Sequence, residues 1–382
     1  MRQSEEGRDR VPEQRQHNIA PPAKHIPALD GLRGIAILAV FLSHFGGGKK
    51  SINPVVHLWS TVTNAGWMGV DLFFVLSGFL ITGILYDTSQ NVHRVRNFYV
   101  RRTLRIFPLF YGVLFLFLAL TPVLHLVWRP EHLLYFLYLG NMTMFVPHMH
   151  SPGAMMTVEH FWSLAVEEQF YLLWPFIVWK IGNREKLLRL SVLIMLSALL
   201  IRVLLLAAGA STTLVYTMLF TRMDSLICGA ALALLVRGPA HDRLSVRPVL
   251  LVSGLLTLAV FAYTRSPLHE APLMLTVGFT AIAFFCAGLV YLAWRQNTAF
   301  AHWLCSPLLR FFGRYSYGLY VFHGLLVAPL FPLVYPLQRA VHSVVLGGLL
   351  YIVLSLGLTV GISVLSYHLY EEPILRLKRR VA

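Results

Sequence analysis

Charge is scarce in this sequence. Charged residues make up 13% of the 382 residues and hydrophobic residues 57%, with a mean hydropathy of +0.64. A soluble globular protein carries about 25% charged residues, so this chain has too few to cover its surface in water. Its apolar residues form long runs rather than the short alternating segments of an outer-membrane barrel. The composition predicts an all-α integral membrane protein.

Cysteine is also scarce, which excludes a disulfide framework. There are three cysteines, and none of them has metal-ligand spacing, so we expect no metal site. Residues 1–27 lack the apolar segment of a cleaved secretory signal. We therefore predict a disordered cytoplasmic tail over 1–27, a membrane domain over 28–376 and a basic cytoplasmic tail over 377–382.

The net charge of +15 is typical of proteins that bind nucleic acid, but its distribution indicates another cause. Lys and Arg occur in short clusters between apolar runs, as topology determinants do, so no nucleic-acid partner is expected. Alternate connectors carry 24 and five of these cations, which predicts that both termini are cytoplasmic. The ten predicted spans run approximately over 31–46, 66–87, 106–127, 161–180, 188–209, 213–236, 248–264, 272–294, 314–335 and 344–370.

The first span carries a cation near each end, Arg33 and His44. Eleven steps of 100° place both side chains on one stripe of the helix, about 16 Å apart along its axis. Ionisable residues are costly inside a membrane, so the pair is a functional-site candidate. The alternative is an arginine that extends to the interface and a histidine bonded to a neighbouring helix.

Span 2 contains Asp71 about one turn inside the predicted outer surface. It either faces the bundle interior or caps the helix. Ser77 and Gly78 follow in the same span, and such small residues allow close helix approach.

Adjacent carboxylates, Glu167 and Glu168, lie in span 4, and at least one of them must face the bundle interior. The alternative is that they are structural partners for Arg202 or Arg222. Arg222 and Asp224 occur together in span 6.

The expected depths of the polar residues in the membrane suggest that they form two layers. His44, Asp71, Glu167, Glu168, Arg222 and Asp224 are all expected in the outer half of the membrane, whereas Arg33, Arg102 and Arg105 gather at the inner face. Arg102 and Arg105 share a helix face and suit phosphate recognition, although this stretch by itself favours positive-inside charge as their explanation. Residues 133–139, in the longest outer connector, are apolar but too short to span, which indicates a re-entrant or interfacial segment. His132, His148, His150, Glu159 and His160 cluster around that segment, a weak metal signal.

Six motifs in order resemble the membrane acyltransferase-3 family of bacterial carbohydrate O-acyltransferases. The resemblance covers residues 26–376. It depends on Leu29–Arg33 with His44, Val70–Phe79, Arg101–Arg105, Trp162–Tyr171, Arg222–Ser225 and Tyr317–His323.

The resemblance implies an enzyme of the bacterial cytoplasmic membrane. It would transfer an acyl group, commonly acetyl, from cytoplasmic acyl-CoA to a hydroxyl of a glycan or lipid-linked sugar, without a permanently bound cofactor. Some relatives carry an additional periplasmic domain, which we do not expect here because nine residues follow Pro373.

The chemistry of the residues agrees with that implication. His44 is the best general base, since imidazole titrates near neutral pH. Glu167 or Glu168 would orient its ring or stabilise the imidazolium. Arg222 would stabilise the oxyanion or hold a carboxylate, and the phosphates of CoA would be bound by Arg33, Arg102 and Arg105. The alternatives are a transporter of sugars or acyl groups, which also uses intramembrane ionisable residues, and a non-catalytic scaffold. Further candidate site residues are Asp30, Asp71, Ser77, Asp224, Tyr317 and His323.

Overall fold

The computed structural model describes residues 25–46, 54–124, 128–145, 158–239 and 245–377, and in these ranges the chain is helical, with no strand. The α-helices are α1 Pro27–Phe45, α2 Pro54–Asn64, α3 Met68–Asp87, α4 Arg94–Leu124, α5 Leu133–Phe136, α6 Trp162–Ile181, α7 Arg184–Ala207, α8 Thr212–Thr217, α9 Leu219–Leu235, α10 Arg247–Thr264, α11 Phe279–Arg295, α12 Ala299–Leu304, α13 Pro307–Arg314, α14 Ser316–Leu330, α15 Val334–Ala340, α16 Val344–Ser366 and α17 Glu372–Arg376. Two π-helical turns, Met274–Gly278 and Tyr367–Glu371, precede α11 and α17.

Nine helical segments of the described chain are long and apolar enough to cross a membrane, so the predicted all-α integral membrane fold is confirmed. The remaining predicted span, the fourth one over 161–180, forms α6, which has 20 residues. At 1.5 Å per residue its length is about 30 Å, but Glu167, Glu168 and Gln169 make it more polar than the others. The count of ten spans and the cytoplasmic position of both termini remain predictions. The N-terminal tail up to residue 24 and the last five residues lie outside the described ranges.

Helix α1 lies at the centre of the bundle and contacts α3, α12, α13 and α14. Its buried side chains include Leu32, Ile37 and Val40, which form part of the hydrophobic core. Because α1 is surrounded in this way, the residues at its two ends face different neighbours, and those neighbours define the two parts of the site described below.

Helices α3 and α9 pack closely through glycine. A Cβ atom at Gly78 would overlap the carbonyl oxygen of Leu226, and one at Gly229 would overlap that of Val75. The predicted close approach at Gly78 is therefore confirmed, and it follows from the absence of a side chain. This contact brings Asp71 on α3 opposite Arg222 on α9.

The described parts of the connector between α4 and α6, residues 128–145 and 158–161, pack against the bundle. Tyr138 is buried and its ring stacks on Phe110 at a centroid distance of 4.1 Å, while Gln169 of α6 donates a hydrogen bond to the Tyr138 carbonyl at 2.9 Å. His160, just before α6, is also buried and bonds the backbone of α14. This packing means that α6 begins inside the bundle. The re-entrant or interfacial position of residues 133–139 in the membrane stays a prediction.

Candidate functional site

Three histidines from three segments meet at one end of α1. The ring of His323 on α14 lies between those of His44 and His160, with centroid distances of 5.0 Å to His44 and 5.2 Å to His160. We call His44, His160 and His323 the histidine cluster. A Cβ atom at position 324 would overlap the His160 ring, so Gly324 is what allows that ring to lie against α14.

Hydrogen bonds to carbonyl groups fix the protonated nitrogen of two of these rings. The Nδ1 atom of His44 lies 2.9 Å from the Val40 carbonyl oxygen, and Nδ1 of His323 lies 2.6 Å from that of Tyr320. Since a carbonyl only accepts, both Nδ1 atoms donate, and in the neutral form of each ring Nε2 carries a lone pair. Neither Nε2 has a hydrogen-bond partner within the described ranges; that of His323 is buried, whereas the His44 side chain is exposed.

A cavity of about 430 Å³ opens beside His44. Its polar lining includes Ser43, Asn141, Glu159 and His160, and its aromatic lining comprises Trp67, Tyr135, Trp162, Tyr216, His269 and Tyr320. His323 lies behind this lining. His44 is thus the member of the histidine cluster whose Nε2 lone pair is available to a molecule in the cavity.

The carboxylates of α6 belong to a second group of polar residues. Tyr171 donates a hydrogen bond to Glu167 at 3.1 Å and also bonds the hydroxyl of Ser77. The guanidinium of Arg102 lies 4.2 Å from the centre of the Tyr171 ring, and its charge acts on both Glu167 and Glu168. The two glutamates are therefore associated with Arg102.

The predicted inner arginines do gather. Arg105 experiences the charges of both Arg33 and Arg102, and it is also close enough to interact with Glu371. Arg33 donates to Asp30 at 3.0 Å, and Tyr317 donates to the Ile106 carbonyl at 2.7 Å beside this group. We call Arg33, Arg102 and Arg105 the arginine cluster.

The expected hydrogen bond from Glu167 or Glu168 to His44 does not form among the described residues. The His44 ring instead contacts Val40, Ser43 and His323. The reason is the depth of α6. His160 already lies at the level of the histidine cluster, so Glu167, seven residues further along, lies about 10 Å closer to the arginine cluster. The carboxylates and His44 thus occupy different levels, unlike the single outer layer that the sequence predicts.

Two buried ion pairs lie between α3, α7 and α9. Arg222 donates to Asp71 at 2.8 Å and Arg202 to Asp224 at 2.7 Å, with every side chain at most 1% exposed. Ser225 donates to Asp71 at 2.7 Å. The partners of Arg202 and Arg222 are therefore aspartates, not Glu167 or Glu168, and Asp71 links helices instead of capping one.

Arg222 lies behind the cavity, since its guanidinium is 5.2 Å from the centre of the Tyr216 ring that lines the cavity. This position favours the expected alternative in which Arg222 holds a carboxylate. The oxyanion role would need a rearrangement, because the Arg222 side chain is completely buried.

Several residues of the site are not among the candidate site residues that the sequence indicates. Tyr320 bonds Ser163 at 2.5 Å and donates to the His160 carbonyl at 3.0 Å, which ties α14 to the start of α6. Tyr171 is one helical turn from Glu167, and this i, i+4 spacing could have indicated the pair. Trp67, Tyr216 and His269 come from distant segments, and no local pattern connects them.

No group of three or more His, Cys, Asp or Glu side chains within the described ranges is arranged to hold a metal ion. His148 and His150 lie outside those ranges. Cys228 and Cys286 are free and buried, and Cys305 is free and partly buried.

Comparison with known proteins gives one family and several relatives. A family model described as an acyltransferase domain matches residues 26–368. YrhL of Bacillus subtilis is 31% identical over 371 residues, which are 92% of this chain and 55% of YrhL. The peptidoglycan O-acetyltransferase OatA of Listeria monocytogenes is 28% identical, covering 92% of this chain and 56% of OatA. The O-acetyltransferase OatA of Staphylococcus aureus is 25% identical, with 92% and 57% covered. This chain thus spans about half the length of these relatives, and no solved structure matches it at a significant level.

Proposed function

Because the chain belongs to this acyltransferase family, we propose that it transfers an acetyl group from cytoplasmic acyl-CoA to a hydroxyl of a cell-envelope glycan. The family resemblance seen in the sequence is confirmed, and the chain is a multi-pass bacterial membrane protein. The names of the relatives from Listeria and Bacillus point to peptidoglycan as the glycan, and a lipid-linked sugar would present the same hydroxyl chemistry. In this proposal the protein lies in the bacterial cytoplasmic membrane.

The observation that carries the proposal is the position of His44. Its side chain lines the cavity with Nδ1 bonded to the Val40 carbonyl, which leaves Nε2 to accept a proton, and its helix carries Arg33 about three turns away. An imidazole in this state accepts a proton at neutral pH, which is what a sugar hydroxyl must lose to become a nucleophile. Helix α1 therefore carries both a base for the acceptor hydroxyl and a cation that suits the phosphates of the donor.

The positions of His44 and Arg33 suggest the following steps for the transfer. The Nε2 atom of His44 takes the proton of the sugar hydroxyl, and the sugar oxygen attacks the thioester carbonyl. The carbon–sulfur bond breaks, and the CoA thiolate leaves and takes up a proton. Glu167 accepts a hydrogen bond from Tyr171, and the Arg102 guanidinium lies on the Tyr171 ring. Glu167 therefore acts at the donor side, instead of orienting His44 as the sequence suggests.

The arginine cluster is the donor site in this proposal. Guanidinium groups bind phosphate through paired charge-assisted hydrogen bonds, and CoA carries several phosphates. Asp30 orients Arg33 through their hydrogen bond, and Glu371 interacts electrostatically with Arg105.

The proposal is tested with the protein in lipid vesicles that contain a peptidoglycan-derived oligosaccharide and labelled acetyl-CoA. Mass spectrometry should show one acetyl group per modified sugar and an equal amount of free CoA. Movement of unmodified oligosaccharide across the vesicle membrane without acetyl-CoA would instead identify a transporter. Neither transfer nor movement would identify a scaffold.

Replacement of either Arg33 or Arg102 by alanine should weaken acyl-CoA binding. Loss of one charge-assisted contact costs on the order of 1.5–3 kcal/mol, which corresponds to a rise of about ten- to a hundred-fold in Kd. Isothermal titration with acetyl-CoA measures the change. Arg101→Ala is the matched control, since Arg101 is an exposed neighbour on the same helix. Equal affinities in all three variants would mean that the cations serve membrane topology alone.

A further inference from the structure

One wall of the cavity beside His44 is aromatic. The rings of Tyr216 and His269 stack at a centroid distance of 3.9 Å and an angle of 23°. Trp67 meets both edge-on, at 5.7 Å from His269 and 6.4 Å from Tyr216. We call Trp67, Tyr216 and His269 the aromatic wall. All three line the cavity that His44 also lines.

The wall is held by contacts behind and beside it. The Trp67 indole donates to the Pro267 carbonyl at 2.8 Å, which fastens the turn that carries His269 to the start of α3. Tyr216 packs on the Trp162 ring at 4.8 Å and on the Arg222 guanidinium at 5.2 Å. The ring surfaces are thus preorganised, so a ligand does not pay to assemble them.

His269 has no hydrogen-bond partner among the described residues, and its Nδ1 atom is buried. A buried nitrogen without a partner costs free energy, which a ligand that supplies hydroxyl groups would recover. Burial, and then the nearby Arg222 charge, lower the pKa of His269 to about 4, so the ring is neutral at physiological pH.

The charged side chains that line the cavity limit which ligands can bind there. The described lining contains one carboxylate, Glu159, and no Lys or Arg. The rest of its polar lining consists of amide, hydroxyl and imidazole groups, among them Asn141, Thr143 and Thr217. Since the described lining offers no Lys or Arg to pair with, a ligand phosphate or carboxylate would lose its hydration without such a partner and would be repelled by Glu159. The cavity volume of about 430 Å³ lies within the range of small-molecule sites.

Building on the proposed function, we propose that the aromatic wall is a stacking subsite for one uncharged pyranose ring of the acceptor, held with a hydroxyl towards His44. The apolar face of a pyranose carries C–H groups that pack on aromatic faces, and its rim of hydroxyls matches neutral polar groups. The same features reject acidic sugars. The aromatic wall thus determines which sugar is acetylated, while the histidine cluster carries out the transfer.

The test uses the full-length protein in lipid vesicles with acetyl-CoA and two soluble acceptors, an oligosaccharide of N-acetylglucosamine and one of glucuronic acid. The neutral oligosaccharide should be acetylated and the acidic one should not. His269→Ala should raise the acceptor KM by about tenfold while kcat changes little. His269→Phe, which keeps the stacking surface, should recover most of that loss. Tyr263→Ala is the control, since Tyr263 is an exposed aromatic residue that does not line the cavity.

A measurement of oligosaccharide binding that does not depend on acetyl transfer tests this inference separately from the proposed function. Quenching of tryptophan fluorescence by the neutral oligosaccharide, weakened by His269→Ala, would support the subsite even if no acetyl group were transferred. Acetylation with an unchanged acceptor KM in His269→Ala, or equal use of the acidic oligosaccharide, would overturn the subsite and leave the acyltransferase proposal intact.

Discussion

Replacement of His44 by alanine should lower the rate of acetyl transfer by about 10²–10⁴-fold, the usual cost of losing a general base. The His44 side chain is exposed, and among the described residues its hydrogen bonds stay within its own helix, to the Val40 carbonyl and the Ser43 hydroxyl. Its removal should therefore change the melting temperature little. Acyl-CoA binding should also be retained, because the arginine cluster lies about 16 Å away along α1.

His44→Gln distinguishes a base from a structural histidine. Glutamine keeps a hydrogen-bonding group but cannot carry the proton, so this variant should be nearly as inactive as alanine. His302 provides the control, since its Nδ1 atom bonds the Thr298 carbonyl at 2.8 Å in the same i−4 geometry. His302→Ala should transfer acetyl groups at the normal rate. Normal turnover in His44→Gln would remove His44 from the mechanism and leave His323 as the next base to test.

Breaking the Asp71–Arg222 pair should give the largest loss of stability. Both side chains are completely buried and lie 2.8 Å apart. Asp71→Asn leaves the Arg222 charge without its partner, which typically costs about 3–5 kcal/mol. Denaturation in detergent measures the loss. The control is Asp87→Asn, since the Asp87–Arg237 pair is 24–34% exposed and such pairs contribute about 0–1 kcal/mol.

A double variant then separates structure from catalysis. Asp71→Leu with Arg222→Met removes both charges and fills the space with apolar side chains, a change that is often neutral or stabilising. If Arg222 only holds α9 against α3, this variant should fold and transfer acetyl groups. A folded variant without turnover would instead give Arg222 the role in oxyanion stabilisation that the sequence suggests. Equal stability of Asp71→Asn and the native protein would contradict the assigned pair.

Local features of the sequence predicted much of the fold. Hydropathy identified the helical membrane segments, because the cost of placing a charge in lipid is felt residue by residue. Helical periodicity placed Arg33 and His44 at opposite ends of one stripe, and in the structure each belongs to one of the two clusters of the candidate site. Gly78 marked a close contact, because only the absence of a side chain allows the backbones of α3 and α9 to meet.

The partners of the polar residues were decided by the tertiary structure. Periodicity gives a residue's face and its depth along its own helix, but not how far that helix is shifted against its neighbours. The connector before α6 packs inwards through Tyr138 and His160, and this shift moves Glu167 from the level of His44 to that of Arg102. The aromatic wall likewise joins residues about 150 and 200 positions from Trp67 in the sequence. Such contacts depend on the packing of the whole bundle, and no single segment of the sequence encodes them.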